Sequence, residues 1–183
     1  MNVNASPIAG VVVVGSPRIS DSRGEFQRLF CDRELACVLG VRRIVQINRS
    51  LTAQRASVRG MHFQHAPHRE MKFVRCLRGR VWDVAVDLRA GSPTLLRWHA
   101  EELSAANGRM LVIPEGCAHG FQALEPDTEL LYLHTAHYAP GSEGGFRHDD
   151  PRLGIAWPLP PTGLSPRDAA LPLVSDDFTG LPS

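Results

Sequence analysis

A chain of 183 residues with 20 Lys plus Arg against 19 Asp plus Glu carries a formal charge of +1 and has no long block of like charge. That argues against nucleic acid or a membrane surface as the main partner. The length suits one domain, 1–183, with a core of its own, and 16 glycines with 14 prolines call for the many turns of an all-β protein. No apolar run reaches membrane-spanning length or reads as a signal peptide. Four cysteines (Cys31, Cys37, Cys76, Cys117) without CxxC spacing read as reduced thiols of a cytoplasmic protein.

Residues 1–10 read as a loose arm, followed by a strand at Val11–Val14. A polar loop between Pro17 and Gly24 leads into Asp21-Ser22-Arg23-Gly24-Glu25-Phe26. Cys31–Leu39 is predicted as a short helix, with Asp32 as its cap, Leu35 and Leu39 on one face and Gly40 at its end. Strand character resumes over Val41–Asn48. Ser57–Lys72 is the stretch richest in chemistry. It holds three histidines, sets Arg59 and His62 on either side of Gly60, and ends at Lys72. A half-exposed strand without a task shows plain alternation; the plainer reading of this one is a polar edge strand with a loop.

Phe73–Leu77, a turn at Arg78-Gly79 and Val81–Leu88 follow. In the last of these, Trp82, Val84, Val86 and Leu88 share one face; Val81, Asp83, Ala85 and Asp87 share the other. Further strands are predicted at Leu95–Leu103, Met110–Ile113 and Glu129–Thr135, with Leu130, Tyr132 and His134 on a common face of the last. From Tyr138 on, prolines, glycines and aspartates dominate, so 138–183 reads as an ordered-loop segment without the periodicity for its own core. Short strands at this spacing suggest a sandwich or barrel.

Gly108-x5-Pro114-x-Gly116-x2-His119 resembles the second motif of the cupin superfamily, the small jelly-roll barrels. The first motif of such barrels supplies HxH. Its place is taken here by Gly60-Met61-His62-Phe63-Gln64, with glutamine at the second histidine. Two histidines without a third protein ligand suit Zn²⁺ or Fe²⁺ poorly. The expectation is a cupin-type barrel with one or two short helices, no metal, and histidines free for acid–base work.

Longer segments resemble the dTDP-4-dehydrorhamnose 3,5-epimerase family. They include Asp21-x-Arg23-Gly24-x-Phe26, Gln46-x-Asn48-x-Ser50, Val58 to Gln64, Lys72-x-Val74-Arg75, Gly79 to Arg89, Ile113 to Phe121, Leu131-Tyr132 and Asp149-Asp150-Pro151. The likeness runs from about residue 10 to 175. It implies a cofactor-free enzyme acting on a nucleotide-linked 4-keto-6-deoxyhexose, whose C3 and C5 hydrogens are both α to the ketone. It also implies roles. His62 is the base with Asp168 as its carboxylate partner, Lys72 stabilises the enolate, and Tyr132 is the acid on the opposite face. His119 lines the pocket, Asp83 supports Lys72 or His119, and Arg59 contacts the diphosphate. Arg23, Gln46, Asn48, Glu143 and Arg167 occupy nucleotide positions. Relatives are homodimers, often with the N-terminal arm reaching the neighbour.

Each residue has a plainer reading. A buried tyrosine is more often core than acid; Asp168 in a polar tail reads as surface, Asp83 as an ordinary paired carboxylate, and Arg23 as loop decoration. Several positions depart from the family pattern: Arg28 for glutamate, Ile47 for a polar residue, Arg167 for lysine, Cys117 for phenylalanine, and Leu133-His134 for a Lys–small pair after Tyr132. These leave the base, the sugar and the number of inverted carbons open. A mono-epimerase, a metal-dependent cupin enzyme and a silent nucleotide-sugar binder are the alternatives.

Overall fold

The computed structural model describes residues 1–182. Two antiparallel sheets pack face to face. One runs, in spatial order, β1 (Asn2–Ala5), β2 (Val12–Gly15), β10 (Met110–Ile113), β7 (Lys72–Arg78), β12 (Thr128–His134) and β5 (Gln46–Thr52). The other runs β13 (Glu143–Gly145), β6 (Val58–Gln64), β11 (Cys117–Ala123), β8 (Arg80–Asp87) and β9 (Trp98–Ser104). With an outlying hairpin of β3 (Arg18–Asp21) and β4 (Gly24–Gln27) and two one-turn helices, α1 (Ala36–Leu39) and α2 (Pro166–Ala169), this is an all-β jelly-roll barrel of the cupin type. No helix is long and apolar enough to cross a membrane among the described residues.

Alternation along β8 explains the layering. Val81 and Ala85 point between the sheets and pack with Val74, Cys76, Leu111, Ile113, Phe121 and Leu130. Trp82, Val84, Val86 and Leu88 face outward, yet they are covered by Phe146, Leu153, Trp157, Val174 and Phe178 of the C-terminal segment. The outer face of the six-stranded sheet is likewise covered: Phe73, Val112 and Leu133 lie under Phe30, Leu35 and Leu39. Each large apolar side chain so enclosed contributes about 1.5–3 kcal/mol. The C-terminal segment therefore needs no core of its own, because it completes the core of the five-stranded sheet.

Local structure differs from expectation at several places. Residues 1–10 are not all loose: Asn2–Ala5 forms β1 and pairs with β2 from Asn2↔Gly15 to Ala5↔Val12. The polar loop at 18–27 is a hairpin. The helix expected over Cys31–Leu39 is reduced to α1, preceded by turns. Asp32 does not cap it, since its Oδ1 accepts only the adjacent Arg33 N–H, but Gly40 does end it, at φ 61°. Strand structure expected from Val41 begins at Gln46, and Val41 is 99% exposed. The strand expected from Leu95 begins at Trp98 because Leu96 turns the chain at φ 61°. The Pro114–Gly116 corner of the motif runs directly into β11, a full strand between β6 and β8 that carries His119.

Candidate active site

Between the two sheets lies a cavity of about 280 Å³, lined by Asn48, Arg49, Ser50, Arg59, His62, Lys72, His119, Phe121, Tyr132 and His134. The β6–β11 crossing sets one wall. His62 stands directly opposite His119, and the ladder shifts register between His119 and Phe121. Gly60 and Gly120 permit this approach. A Cβ on Gly60 would meet the Gly120 Cα at 2.5 Å, and φ is +124° at Gly60, a conformation that only glycine adopts readily.

Each histidine of this wall leans on a carboxylate. Asp168 arrives from the C-terminal segment on α2, whose N-cap Ser165 Oγ accepts the Asp168 N–H at 3.0 Å. Its Oδ1 lies 2.7 Å from His62 Nε2, and its Oδ2 accepts the Gly60 N–H at 3.3 Å. With the proton on Nε2, Nδ1 carries the lone pair of the neutral ring. Burial works to raise the Asp168 carboxyl, but the His62 hydrogen bond and charge, with the Gly60 N–H, outweigh it and hold the group below its ordinary value. Asp83 Oδ1 lies 2.8 Å from His119 Nε2. Asp83 is fully buried and its second oxygen has no partner. There burial prevails over the help of His119 and Lys72, and the carboxyl is raised.

The facing wall comes from β7, β12 and β5. Lys72 Nζ reaches across to the His62 carbonyl oxygen at 3.4 Å and pairs with Glu70 Oε1 at 3.2 Å. The Tyr132 hydroxyl is 3.2 Å from Ser50 Oγ. Burial pushes this phenol well above its usual value; the Ser50 bond opposes that and the charge of Asp83 adds to it, so the group is a proton donor at neutral pH. Arg59 donates Nη2 to the Leu51 carbonyl at 3.1 Å and presents its guanidinium to the cavity.

Gln46, Glu143 and Arg167 gather outside these lining residues, around Tyr138. The Tyr138 N–H donates to Gln46 Oε1 (3.0 Å), and its hydroxyl donates to Glu143 Oε2 (2.8 Å). Arg167 Nη2 pairs with Glu143 Oε1 at 2.5 Å. Glu143 lies two ladder steps from His62, since Gly145 pairs with His62 and Glu143 with Gln64. Arg23 is not brought to the site. It sits in the β3–β4 turn, paired with Asp21 at 2.6 Å, its side chain 87% exposed. Sequence reasoning missed Ser50, Phe121, Tyr138 and Glu70 as site residues. Glu70 carried a signal, two positions before Lys72 and hence on the same side of an extended chain.

Among the described residues, no group of three or more His, Cys, Asp or Glu side chains is arranged to hold a metal ion. Gln64 stands where a ligand would be expected. It is spent on structure: Nε2 donates to the His68 and His137 carbonyls and Oε1 accepts the Ala139 N–H.

Paired histidines and carboxylates facing a lysine and a shielded phenol inside a jelly-roll barrel define a proton-transfer isomerase built on a cupin frame. The chain belongs to the dTDP-4-dehydrorhamnose 3,5-epimerase family, whose model matches residues 5–176. It is 43% identical to a dTDP-4-dehydrorhamnose 3,5-epimerase of Sinorhizobium fredii, over 90% of this chain and 85% of that one. It is 38% identical to a dTDP-4-dehydrorhamnose 3-epimerase of Streptomyces niveus, over 92% of this chain and 81% of that one. Its fold matches the crystal structure of a dTDP-6-deoxy-D-glucose-3,5-epimerase from Legionella pneumophila in complex with dTDP-4-keto-L-rhamnose. There the TM-score is 0.89 and the identity 38%, covering 94% of this chain and 92% of that one.

Proposed function

We propose that this protein inverts C3 and C5 of a nucleotide-linked 4-keto-6-deoxyhexose, converting dTDP-4-dehydro-6-deoxy-D-glucose to dTDP-4-dehydro-L-rhamnose. The observation that carries this reading is the placement of a carboxylate-paired imidazole and a buried phenol on opposite walls of one cavity, His62 from β6 and Tyr132 from β12.

His62 Nδ1 takes the proton α to the ketone, and Asp168 stabilises the imidazolium that forms. General-base help of this kind is worth roughly 10²–10⁴-fold. The electron pair moves onto the C4 oxygen, where the Lys72 ammonium balances the enolate charge. Tyr132 then gives its proton to the opposite face of the same carbon. Solvent restores both groups, and no cofactor enters the route. Asp83 keeps His119 oriented as a second polar contact. Arg59 offers the diphosphate a planar fork of donors. Asn48 and the cluster of Gln46, Glu143 and Arg167 receive the rest of the nucleotide.

A relative of 38% identity that bears the name 3-epimerase favours a second reading, a single inversion at C3. Incubation with the substrate in D₂O, followed by NMR, decides between them. Deuterium at both C3 and C5 is expected, deuterium at one carbon supports the mono-epimerase, and deuterium at neither refutes the assignment.

The β3–β4 hairpin leaves Ile19 70% and Phe26 63% exposed and carries Arg23 away from its own cavity. We infer a homodimer in which this hairpin packs on the neighbour and brings Arg23 to its site. Light scattering of Ile19→Asp/Phe26→Asp is expected to show monomers where the parent shows dimers; a monomeric parent excludes the arrangement. The four free cysteines fit a reducing cytoplasm.

A further inference from the structure

Two histidine–carboxylate pairs belong to the five-stranded wall and are used in the route above. A third pair lies on the other wall and is not. His134 Nδ1 is 2.6 Å from Glu70 Oε2, and the other oxygen of Glu70 is the one that holds Lys72. His134 stands directly opposite Lys72 in the β12–β7 ladder. Its Nε2 is 3.4 Å from Asn48 Nδ2, and its ring stacks on that of Tyr132, at 6.1 Å between centroids and 20° between planes.

We propose that Glu70 is a positioning residue for Lys72 and that His134 holds Glu70 in that role; the proposal rests on the epimerase reading above. An ammonium has three N–H donors. Glu70 and the His62 carbonyl engage two of them, which leaves the third for the cavity that Lys72 lines. The direction of that third donor fixes where the C4 oxygen must sit to be stabilised. Glu70 sets the direction only if it cannot swing, and its side chain, 9% exposed, is tied at its second oxygen by His134. Burial alone works to raise the Glu70 carboxyl. The hydrogen bond from His134 and the charge of Lys72 overcome it, so the group stays ionised. The Lys72 ammonium and the Glu70 carboxylate cancel, which makes their burial tolerable. The charge of the lysine is thus balanced from behind, while its free N–H faces the reacting oxygen.

The test uses the full-length enzyme and the D₂O exchange assay, with kcat, KM and dTDP affinity measured together. Glu70→Gln keeps the shape and removes the charge. It is expected to lower kcat about 10- to 100-fold, the cost of a misaimed catalytic group, with KM and dTDP affinity within about twofold. In a Lys72→Met background the same change is expected to add nothing, because its effect passes through Lys72. His134→Asn keeps a donor near Nδ1 and is expected to recover most of the rate, whereas His134→Leu loses as much as Glu70→Gln. Wild-type kcat in Glu70→Gln, a multiplicative loss in the double variant, or equal rates for the two His134 variants would each overturn the proposal. If the parent enzyme exchanges and Glu70→Gln does too, only the positioning role fails. If the parent exchanges at neither carbon, the epimerase reading fails and takes this proposal with it.

Discussion

Asp168 and Tyr132, on facing walls of the cavity, answer burial in opposite senses. On the five-stranded side Asp168 stays below its ordinary carboxyl value; on the six-stranded side Tyr132 is driven well above its phenol value. Burial raises both. The difference lies in the partners: Asp168 receives His62 and the Gly60 N–H, whereas Tyr132 has one neutral hydroxyl and feels the charge of Asp83. One wall therefore keeps a carboxylate ionised behind an imidazole, and the other keeps a phenol protonated. Strand β8 repeats the contrast within four residues. Asp83, with one histidine, is raised, while Asp87, held by Arg89, Ser92 and Thr94 against the pull of burial, falls to about 2.

The largest expected effect breaks the base wall. His62→Ala is predicted to slow exchange at C3 and C5 by roughly 10³-fold or more, while dTDP still binds through Arg59 and the Tyr138 cluster. Parental exchange rates in that variant would remove His62 from the mechanism. Tyr132→Phe breaks only the other wall. Deuterium is then expected to keep entering recovered substrate, because His62 can return it to the face it came from, while inversion falls about 10²-fold. Unimpaired inversion would assign the acid elsewhere.

The smallest effect sharpens the β8 contrast. Asp87→Asn is predicted to cost about 2 kcal/mol of stability at neutral pH and to leave exchange untouched, as read by urea unfolding. The Asp87 carboxyl is depressed in the folded state, so its contribution is fully present above the ordinary value of 3.8 and is lost as pH falls toward about 2. Parent and variant should converge in stability at the acid end of that window. A constant gap across it would locate the stabilisation in packing rather than in charge.

Much of the frame was legible in the chain. Period-two alternation along Val81–Leu88 located β8 and both of its faces, and Leu130, Tyr132 and His134 were placed on one face by the same rule. The Pro114–Gly116 corner announced His119. Motif spacing pointed to a cupin barrel, and the longer likeness pointed to the family to which the chain belongs. Where the chain makes short, irregular structure, local signals failed. The helix shrank to one turn, and β1 formed in a segment read as loose, because an edge strand is stabilised by its neighbour β2 rather than by its own pattern.

The sequence by itself determined the strands with clear alternation, β8 and β12 above all, and which side chains are chemically able to act, since periodicity records what each residue meets along its own strand. The family resemblance implied Asp168 as the partner of His62, and the tertiary structure supplies that contact across 106 residues. Only the tertiary structure set Glu70 between Lys72 and His134. It held Arg23 on an exposed turn away from the cavity of its own chain. Such contacts depend on how loops close over the sheets, and no local pattern encodes that.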